Sequence, residues 1–161
     1  MTRSDPVFDS LTAPGTPFEI GEQDGMRQFA NAPADLNFLV ESARKHGDKI
    51  FLVEGGRRVT FNELFSLRDA LVTKLAIKRG DRVAICMRNR TEWMTGFLAT
   101  VRAGGIAALV NSRGAPEELR AAVEDVTPAL VLADKERAVL LREGGYPGDI
   151  LEAEDFPSEG P

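Results

Sequence analysis

The sequence predicts an α/β fold with a doubly wound, mostly parallel sheet, helices on both faces and a small β-hairpin. Three apolar segments without polar alternation, at residues 82–87, 106–110 and 129–133, have the pattern of strands that are covered on both faces. Segments with the apolar spacing of helices lie between them, at residues 91–103 and 116–126. Strands that alternate with helices in this way build right-handed βαβ units, so the strands should run parallel.

The start of the chain differs from the rest in composition. Residues 1–34 contain four prolines and three glycines and have no regular spacing of apolar residues, so we predict an extended N-terminal arm. Residues 35–161 carry the regular pattern and are predicted to form the α/β subdomain.

The regular part is predicted to begin with a helix and the hairpin. Asp35 can cap the helix, and Gly47 suits its end. A strand at residues 49–53 leads into the Glu-Gly-Gly-Arg turn of residues 54–57, where glycine tolerates the positive φ that tight turns need. The return strand should end at Thr60.

A longer helix and the strands of the sheet follow the hairpin. Thr60 and Glu63 have the spacing of a capping box, so this helix should begin at residue 61 and end before Gly80. Strands and helices are then expected to alternate, starting with a strand, over residues 82–87, 91–103, 106–110, 116–126, 129–133, 134–142 and 148–151.

Composition excludes several classes of function. The 161 residues include one cysteine and one histidine, which excludes an internal disulfide and any site that needs two histidines. The net charge of −5 argues against a nucleic-acid-binding protein. No apolar run approaches the roughly 20 residues that span a bilayer, and the first residues lack a signal-peptide core. We therefore expect a cytoplasmic protein without a transmembrane segment.

The loops after the predicted strands are where a ligand would bind, because open α/β sheets bind ligands at the carboxyl ends of their strands. Arg88 and Arg90 precede a helix N-terminus, where they could hold a phosphate or simply cover the helix end. Asn111 could bind substrate or fix a turn, and Asp134 could act as a general base or cap a helix. We expect the structural role in each case.

The remaining chemical groups also have structural interpretations. His46 suits a helix C-terminus, Cys86 a buried strand and Trp93 the apolar side of a helix. The sequence contains none of the motifs GxGxxG, GxxxxGK[ST] or GxSxG. We therefore predict no catalytic, cofactor-binding or metal-binding residue in this chain.

Five short motifs, in order, resemble the N-terminal part of the AMP-forming, adenylate-forming ligases, which include acyl-CoA synthetases and the adenylation domains of peptide synthetases. Phe61 stands where tyrosine is usual in the first core motif, and Leu109 and Ser112 where proline is common in and after the second. The motifs are VTFNEL (59–64), RGDRVAI (79–85), RNRTEW (88–93), VRAGGI (101–106) with Asn111, and PEEL (116–119).

The resemblance implies an enzyme that joins a carboxylate to ATP as an acyl-adenylate and passes the acyl group to coenzyme A. It implies ATP, Mg²⁺ and coenzyme A for the parent enzyme, with fatty or aromatic acids as substrates. The family's phosphate loop, its magnesium-associated acidic residue and its C-terminal lid all lie downstream of the motifs present here. We therefore expect an inactive N-terminal fragment that binds none of these groups.

The sequence leaves three alternative interpretations open. The chain could be a naturally short homologue that acts as an interaction or regulatory module, part of a peptide-synthetase adenylation domain, or an unrelated flavodoxin-like binding domain. For the fragment, we expect an exposed apolar surface where the missing part would dock, and association through it, for example as a homodimer.

Overall fold

The described part of the chain, residues 5–33 and 35–160 of a computed structural model, divides into two units between Leu39 and Val40. The first unit contains helix α1 (Pro6–Thr12), an antiparallel hairpin of strands β1 (Ile20–Gln23) and β2 (Met26–Phe29), and the start of helix α2 (Leu36–Ser42).

The prediction of an extended arm is wrong for α1 and the hairpin. Asp5 caps α1 by accepting a hydrogen bond from the Val7 N–H at 2.9 Å, and Pro6 occupies the first helical turn. Asp24 and Gly25 both have positive φ and form the tight turn of the hairpin. These signals involve only two or three residues each, so the irregular apolar spacing of the segment conceals them.

The second unit alternates strands and helices as predicted. α2 ends at Ser42 and continues as a 3-10 turn, Ala43–His46, which ends at Gly47. The further elements are β3 (Ile50–Glu54), β4 (Arg57–Thr60), α3 (Phe61–Leu75), β5 (Arg82–Cys86), α4 (Thr91–Arg102), β6 (Ile106–Leu109), α5 (Pro116–Asp125), β7 (Leu130–Ala133), α6 (Lys135–Glu143) and β8 (Ile150–Glu152).

The main sheet is parallel and doubly wound, which confirms the predicted fold class. Its strand order is β6-β5-β7-β8, and β3 and β4 form a separate antiparallel hairpin. Successive residues of β5 point to opposite faces: Val83 and Ile85 pack with α3 and α4, whereas Ala84 and Cys86 pack with α5 and α6. Each face of the sheet therefore has its own apolar core.

The predicted caps also form. The Thr60 hydroxyl accepts from the Glu63 N–H at 3.1 Å, and the Glu63 carboxylate accepts from the Thr60 N–H at 2.7 Å. Asp35 accepts from the Phe38 N–H at 2.9 Å at the start of α2. Two side-chain-to-backbone signals thus fix where α3 and α2 begin.

A buried cation joins α2 and α3. Arg68 is 0% exposed, and its guanidinium lies 2.5 Å from the Glu41 carboxylate and 2.6 Å from that of Asp69. Arg44 pairs with the same two carboxylates, and both guanidinium groups lie over the Phe65 ring. The complete burial of the Arg68 charge is tolerated because both carboxylates are ionised and hydrogen-bonded to the guanidinium group.

Strand β6 departs from the prediction. Residues 106–110 are predicted to be covered on both faces, but β6 lies at the edge of the sheet, and Ile106 and Leu109 are 54% and 58% exposed. An apolar run identifies a strand but does not tell its place in the sheet, which depends on the order of all the strands.

Among the described residues, no helix is both long and apolar enough to cross a membrane.

Candidate functional site

The candidate site is the crevice between the carboxyl ends of β5 and β7. The loop after β5 leads to α4 on one face of the sheet, and the loop after β7 leads to α6 on the other face. Such a reversal opens a crevice where α/β proteins bind ligands. A cavity of about 580 Å³ extends from this crevice along one side of α6, and its lining includes Arg88, Arg90, Asp134, Lys135 and Glu154.

Asp134 ties the two sides of the crevice together. Its side chain is buried (5% exposed), and one oxygen caps α6 by accepting from the Arg137 N–H at 2.9 Å. The other oxygen accepts from the Arg88 N–H at 2.8 Å, across the crevice. The predicted capping role of Asp134 is confirmed, and the second hydrogen bond is one that the sequence does not reveal.

The loop after β6 is hydrogen-bonded to the same part of the structure through Arg137. The Arg137 guanidinium donates to the Ser112 carbonyl at 3.0 Å, and Asn111 accepts from the Arg113 N–H at 3.1 Å. Asn111 therefore fixes its own turn, as predicted. The backbones of the loops after β5, β6 and β7 are thus linked through Asp134 and Arg137.

The N-terminus of α4 is capped by a residue from the hairpin. Arg90 is at the cap position but its side chain does not cap the helix; instead, Glu54 at the end of β3 accepts from the Thr91 N–H at 2.9 Å and from the Thr91 hydroxyl at 2.6 Å. These two hydrogen bonds, with lesser help from the charges of Arg90 and Arg57, hold the pKa of Glu54 below its usual range. The carboxylate thus occupies the position in which an anionic ligand would meet this helix.

Glu154 places a second carboxylate, beside that of Asp134, at the N-terminus of α6. Its carboxylate lies 2.7 Å from the Arg90 guanidinium and accepts from the Lys135 N–H at 3.0 Å. Partial burial works to raise its pKa, but the hydrogen bond and charge of Arg90 outweigh that effect, so the pKa of Glu154 is lowered. Arg90 also pairs with Glu92 at 2.6 Å.

Carboxylates of this chain neutralise two of the cationic side chains that line the crevice, Arg90 and Arg137. Of the cations that line the crevice in the described part of the chain, Arg88 and Lys135 are the ones without an ion pair. No three carboxylate, histidine or cysteine side chains come close enough in this part of the chain to hold a metal. The arrangement fixes three loops and two helix ends.

The other candidate residues occupy structural positions. Cys86 is fully buried, as predicted, and burial, followed by the negative charge of Asp134, raises the pKa of its thiol to about 11. Trp93 packs on the core and stacks with Phe97, their ring centroids 5.8 Å apart. His46 lies against the ring of Phe61 at 4.9 Å. Sequence reasoning misses Glu54, Glu154 and Arg137, because their partners are distant in sequence or lie in loops.

Comparison with known proteins identifies a family that this chain matches. Residues 39–157 match the model of the AMP-binding enzymes. The chain is 33% identical over 103 residues to a 3-hydroxybenzoate–CoA ligase of Aromatoleum sp. (strain CIB), covering 60% of this chain and 19% of that protein. It is 26% identical over 144 residues to the medium/long-chain-fatty-acid–CoA ligase FadD6 of Mycobacterium tuberculosis, covering 84% of this chain and 24% of the relative.

A solved structure shows the same fold. The o-succinylbenzoate coenzyme A synthetase of Bacillus subtilis, in complex with AMP, superimposes with a TM-score of 0.66 at 25% identity, over 76% of this chain and 32% of that one. The chain thus spans about a fifth to a third of the length of these relatives. Because the family model covers more than half of the sequence and agrees with the fold and the motifs, the chain belongs to the AMP-binding enzyme family.

Proposed function

We propose that this chain is the N-terminal part of an ATP-dependent acyl-CoA synthetase that acts on fatty or aromatic acids. The parent enzyme would form an acyl-adenylate from a carboxylate and ATP, release pyrophosphate, and transfer the acyl group to coenzyme A. The observation that carries the proposal is the match of residues 39–157 to the AMP-binding enzymes. Relatives named for 3-hydroxybenzoate and for medium- and long-chain fatty acids support the two substrate classes.

This part of the enzyme would serve as scaffold. In the described residues the carboxylates of Glu54, Asp134 and Glu154 already accept hydrogen bonds from the N-termini of α4 and α6, where phosphate oxygens would otherwise bind. The resemblance places the family's phosphate loop and its magnesium-associated acidic residue downstream of the motifs present here. We therefore propose that ATP and Mg²⁺ bind to groups outside this sequence and that the 161-residue chain alone is inactive.

The proposal is tested by carboxylate-dependent exchange of pyrophosphate into ATP. The 161-residue chain and the polypeptide extended along its own coding frame are compared with 3-hydroxybenzoate, benzoate, decanoate and palmitate, each against a reaction without carboxylate. We expect exchange by the extended polypeptide only. Exchange by the short chain would overturn the inactive scaffold, and an extended polypeptide that is inactive with every acid would overturn the proposed substrates.

A further inference from the structure

A second cavity is lined by the end of strand β3 and by the start of helix α4. Its volume is about 540 Å³, which is within the range of small-molecule sites in proteins. It shares Arg90 with the cavity beside α6, but the rest of its lining is its own. The apolar part of that lining consists of Leu52, Val53, Trp93 and Met94.

The walls of this hairpin cavity suit an apolar body. Leu52 and Met94 are half-buried and pack on core residues of β4, α3 and α4, whereas Val53 is 61% exposed. Trp93 is half-buried, and an indole ring is the aromatic group that attracts organic cations most strongly. A ring or alkyl chain in the cavity would therefore contact side chains of both the hairpin and α4.

The charged groups of the hairpin cavity favour a cation. Glu54 lines it and is ionised at neutral pH, because its pKa is lowered. Both hydrogen bonds from Thr91 go to one carboxylate oxygen, Oε2, and Oε1 accepts none from the described residues. The positive charge of Arg90 is already paired with Glu92 at 2.6 Å and with Glu154 at 2.7 Å. One oxygen of Glu54 is thus free to bind a positive group.

Asn89 adds a second hydrogen-bond acceptor to the hairpin cavity. It is exposed and lines the cavity together with Glu54, and its amide oxygen accepts hydrogen bonds. A primary ammonium group has three N–H donors, so it can use both acceptors and keep one bond to water. A carboxylate ligand would instead be repelled by the negative charge of Glu54.

We propose that the hairpin cavity binds a small organic amine, in which an apolar ring or chain carries a primary ammonium group. The ammonium group binds Glu54 and Asn89, and the apolar body lies against Trp93 and Met94. The proposal is independent of the proposed function, because it uses residues of this chain alone. Its ligand also has the opposite charge to the carboxylic acids proposed as substrates.

The fluorescence of Trp93 tests the proposal directly, because the chain contains one tryptophan. Phenethylamine is titrated into the 161-residue chain. Hydrocinnamate, which has the same ring and linker but ends in a carboxylate, is the matched control ligand. We expect a saturable change with phenethylamine, with a midpoint in about the millimolar range, and no change with hydrocinnamate at the same ionic strength. A change that does not saturate, or an equal response to both ligands, would overturn the proposal.

Two matched variants test the role of the carboxylate. Glu54→Gln and Glu63→Gln each replace a carboxylate that accepts a backbone hydrogen bond at a helix N-terminus, but Glu63 does not line the hairpin cavity. We expect Glu54→Gln to weaken the binding of phenethylamine about tenfold or more, and Glu63→Gln to leave it unchanged. Equal affinities of both variants and the wild type would reject the amine site.

A second pair of variants leaves the cap of α4 intact. Val53→Lys places a competing positive charge in the wall of the hairpin cavity. Val139→Lys is its control, because Val139 lies on α6, outside this cavity, and is also exposed, at 49%. We expect the fluorescence change to be lost in Val53→Lys and kept in Val139→Lys. Undiminished binding by Val53→Lys would contradict the proposal.

Two further outcomes would assign the hairpin cavity to another occupant and overturn the proposal. Isothermal titration calorimetry compares phenethylamine binding by the short chain and by the polypeptide extended along its own coding frame. Binding by the short chain alone would mean that a further segment of the polypeptide fills the cavity. A dimer of the short chain that Val53→Lys dissociates would mean that a second copy fills it.

Discussion

Glu54 shows at the scale of a single residue how the hairpin and the main sheet are joined. Its carboxylate accepts two hydrogen bonds from Thr91, the first residue of α4. Glu54→Ala removes the cap, and we expect the free energy of unfolding to fall by about 1–2 kcal/mol. Glu54→Gln keeps an acceptor but loses the charge at the helix N-terminus, so it should cost about 0.5–1 kcal/mol.

Urea denaturation of the 161-residue chain measures both changes. Arg58→Ala is a suitable control, because Arg58 lies on the neighbouring strand, is exposed and has no ion pair among the described residues. That variant should stay within about 0.5 kcal/mol of the wild type. A Glu54→Ala variant as stable as the control would show that solvent caps α4 equally well.

Cys86 should be chemically inert while the chain is folded. Its thiol is buried, and its pKa of about 11 leaves almost no thiolate in mildly alkaline buffer. We expect no reaction with a disulfide reagent such as dithiobis(nitrobenzoate) in that buffer, and stoichiometric reaction once guanidinium chloride unfolds the chain. Rapid labelling in buffer would mean that β5 opens frequently or is not central.

At the scale of elements, the approach of α5 to the end of α6 sets a steric limit. Gly144 follows α6 and has an ordinary helical φ of −69°, so its backbone does not require glycine. A Cβ there would lie 2.3 Å from the carbonyl oxygen of Pro116, the first residue of α5. The glycine is therefore required by the packing of two helix ends.

We expect Gly144→Ala to lower the stability of the chain by about 1–3 kcal/mol, because backbone atoms must move apart to admit the methyl group. Gly56→Ala is the matched control, since a Cβ at Gly56 meets nothing within 4 Å. Thermal unfolding of both variants measures the difference. If the two midpoints agree, α5 and α6 can separate at no cost.

Elements also show what the sequence can and cannot predict. Strands β5 and β7, helix α4 and the capping box of α3 follow from apolar runs, helical spacing and one side-chain pair, all of which are local. The edge position of β6 and the bridge from Glu154 to Arg90 depend on which strands become neighbours, so no local pattern contains them. The hairpin of β1 and β2 has a local signal in its Asp24-Gly25 turn, but its strands are too short and polar to show an apolar period.

The same distinction applies to the candidate site. The capping bond of Asp134 and the turn bond of Asn111 lie within three residues of each side chain, so sequence neighbours predict these two roles. The bond from the Arg88 N–H to Asp134 spans 46 residues and is not predicted. Glu54 meets Thr91 only because the hairpin packs beside α4. Residues that act on distant partners are the ones that single-sequence reasoning misses.

At the scale of the whole molecule, paired carboxylates make stability depend on pH. Burial opposes ionisation of Glu41 and Asp69, but hydrogen bonds and charges from Arg44 and Arg68 outweigh it, so the pKa of each is lowered. The pKa of Glu54 is lowered as well. A folded-state pKa below that of the unfolded chain gives stability that is complete above the unfolded value and is lost as the pH falls.

We therefore expect the urea midpoint to be constant from about pH 7 to about pH 5.5 and to fall below pH 4.5, the ordinary pKa of a glutamate side chain. Glu41→Gln should reduce the size of this fall, since the amide that replaces the carboxylate does not titrate. Stability that is flat down to about pH 3, or that declines already between about pH 7 and 5.5, would contradict the assignment of these carboxylates.

The cap that Glu54 provides has a consequence for how the chain folds. Glu54 precedes Thr91 by 37 residues, so the first turn of α4 gains its cap only after that length of chain has closed into a loop. Closing such a loop costs entropy before any contact rewards it. The start of α4 should therefore become ordered together with the arrival of the hairpin and not before it, which couples two elements that would otherwise form independently.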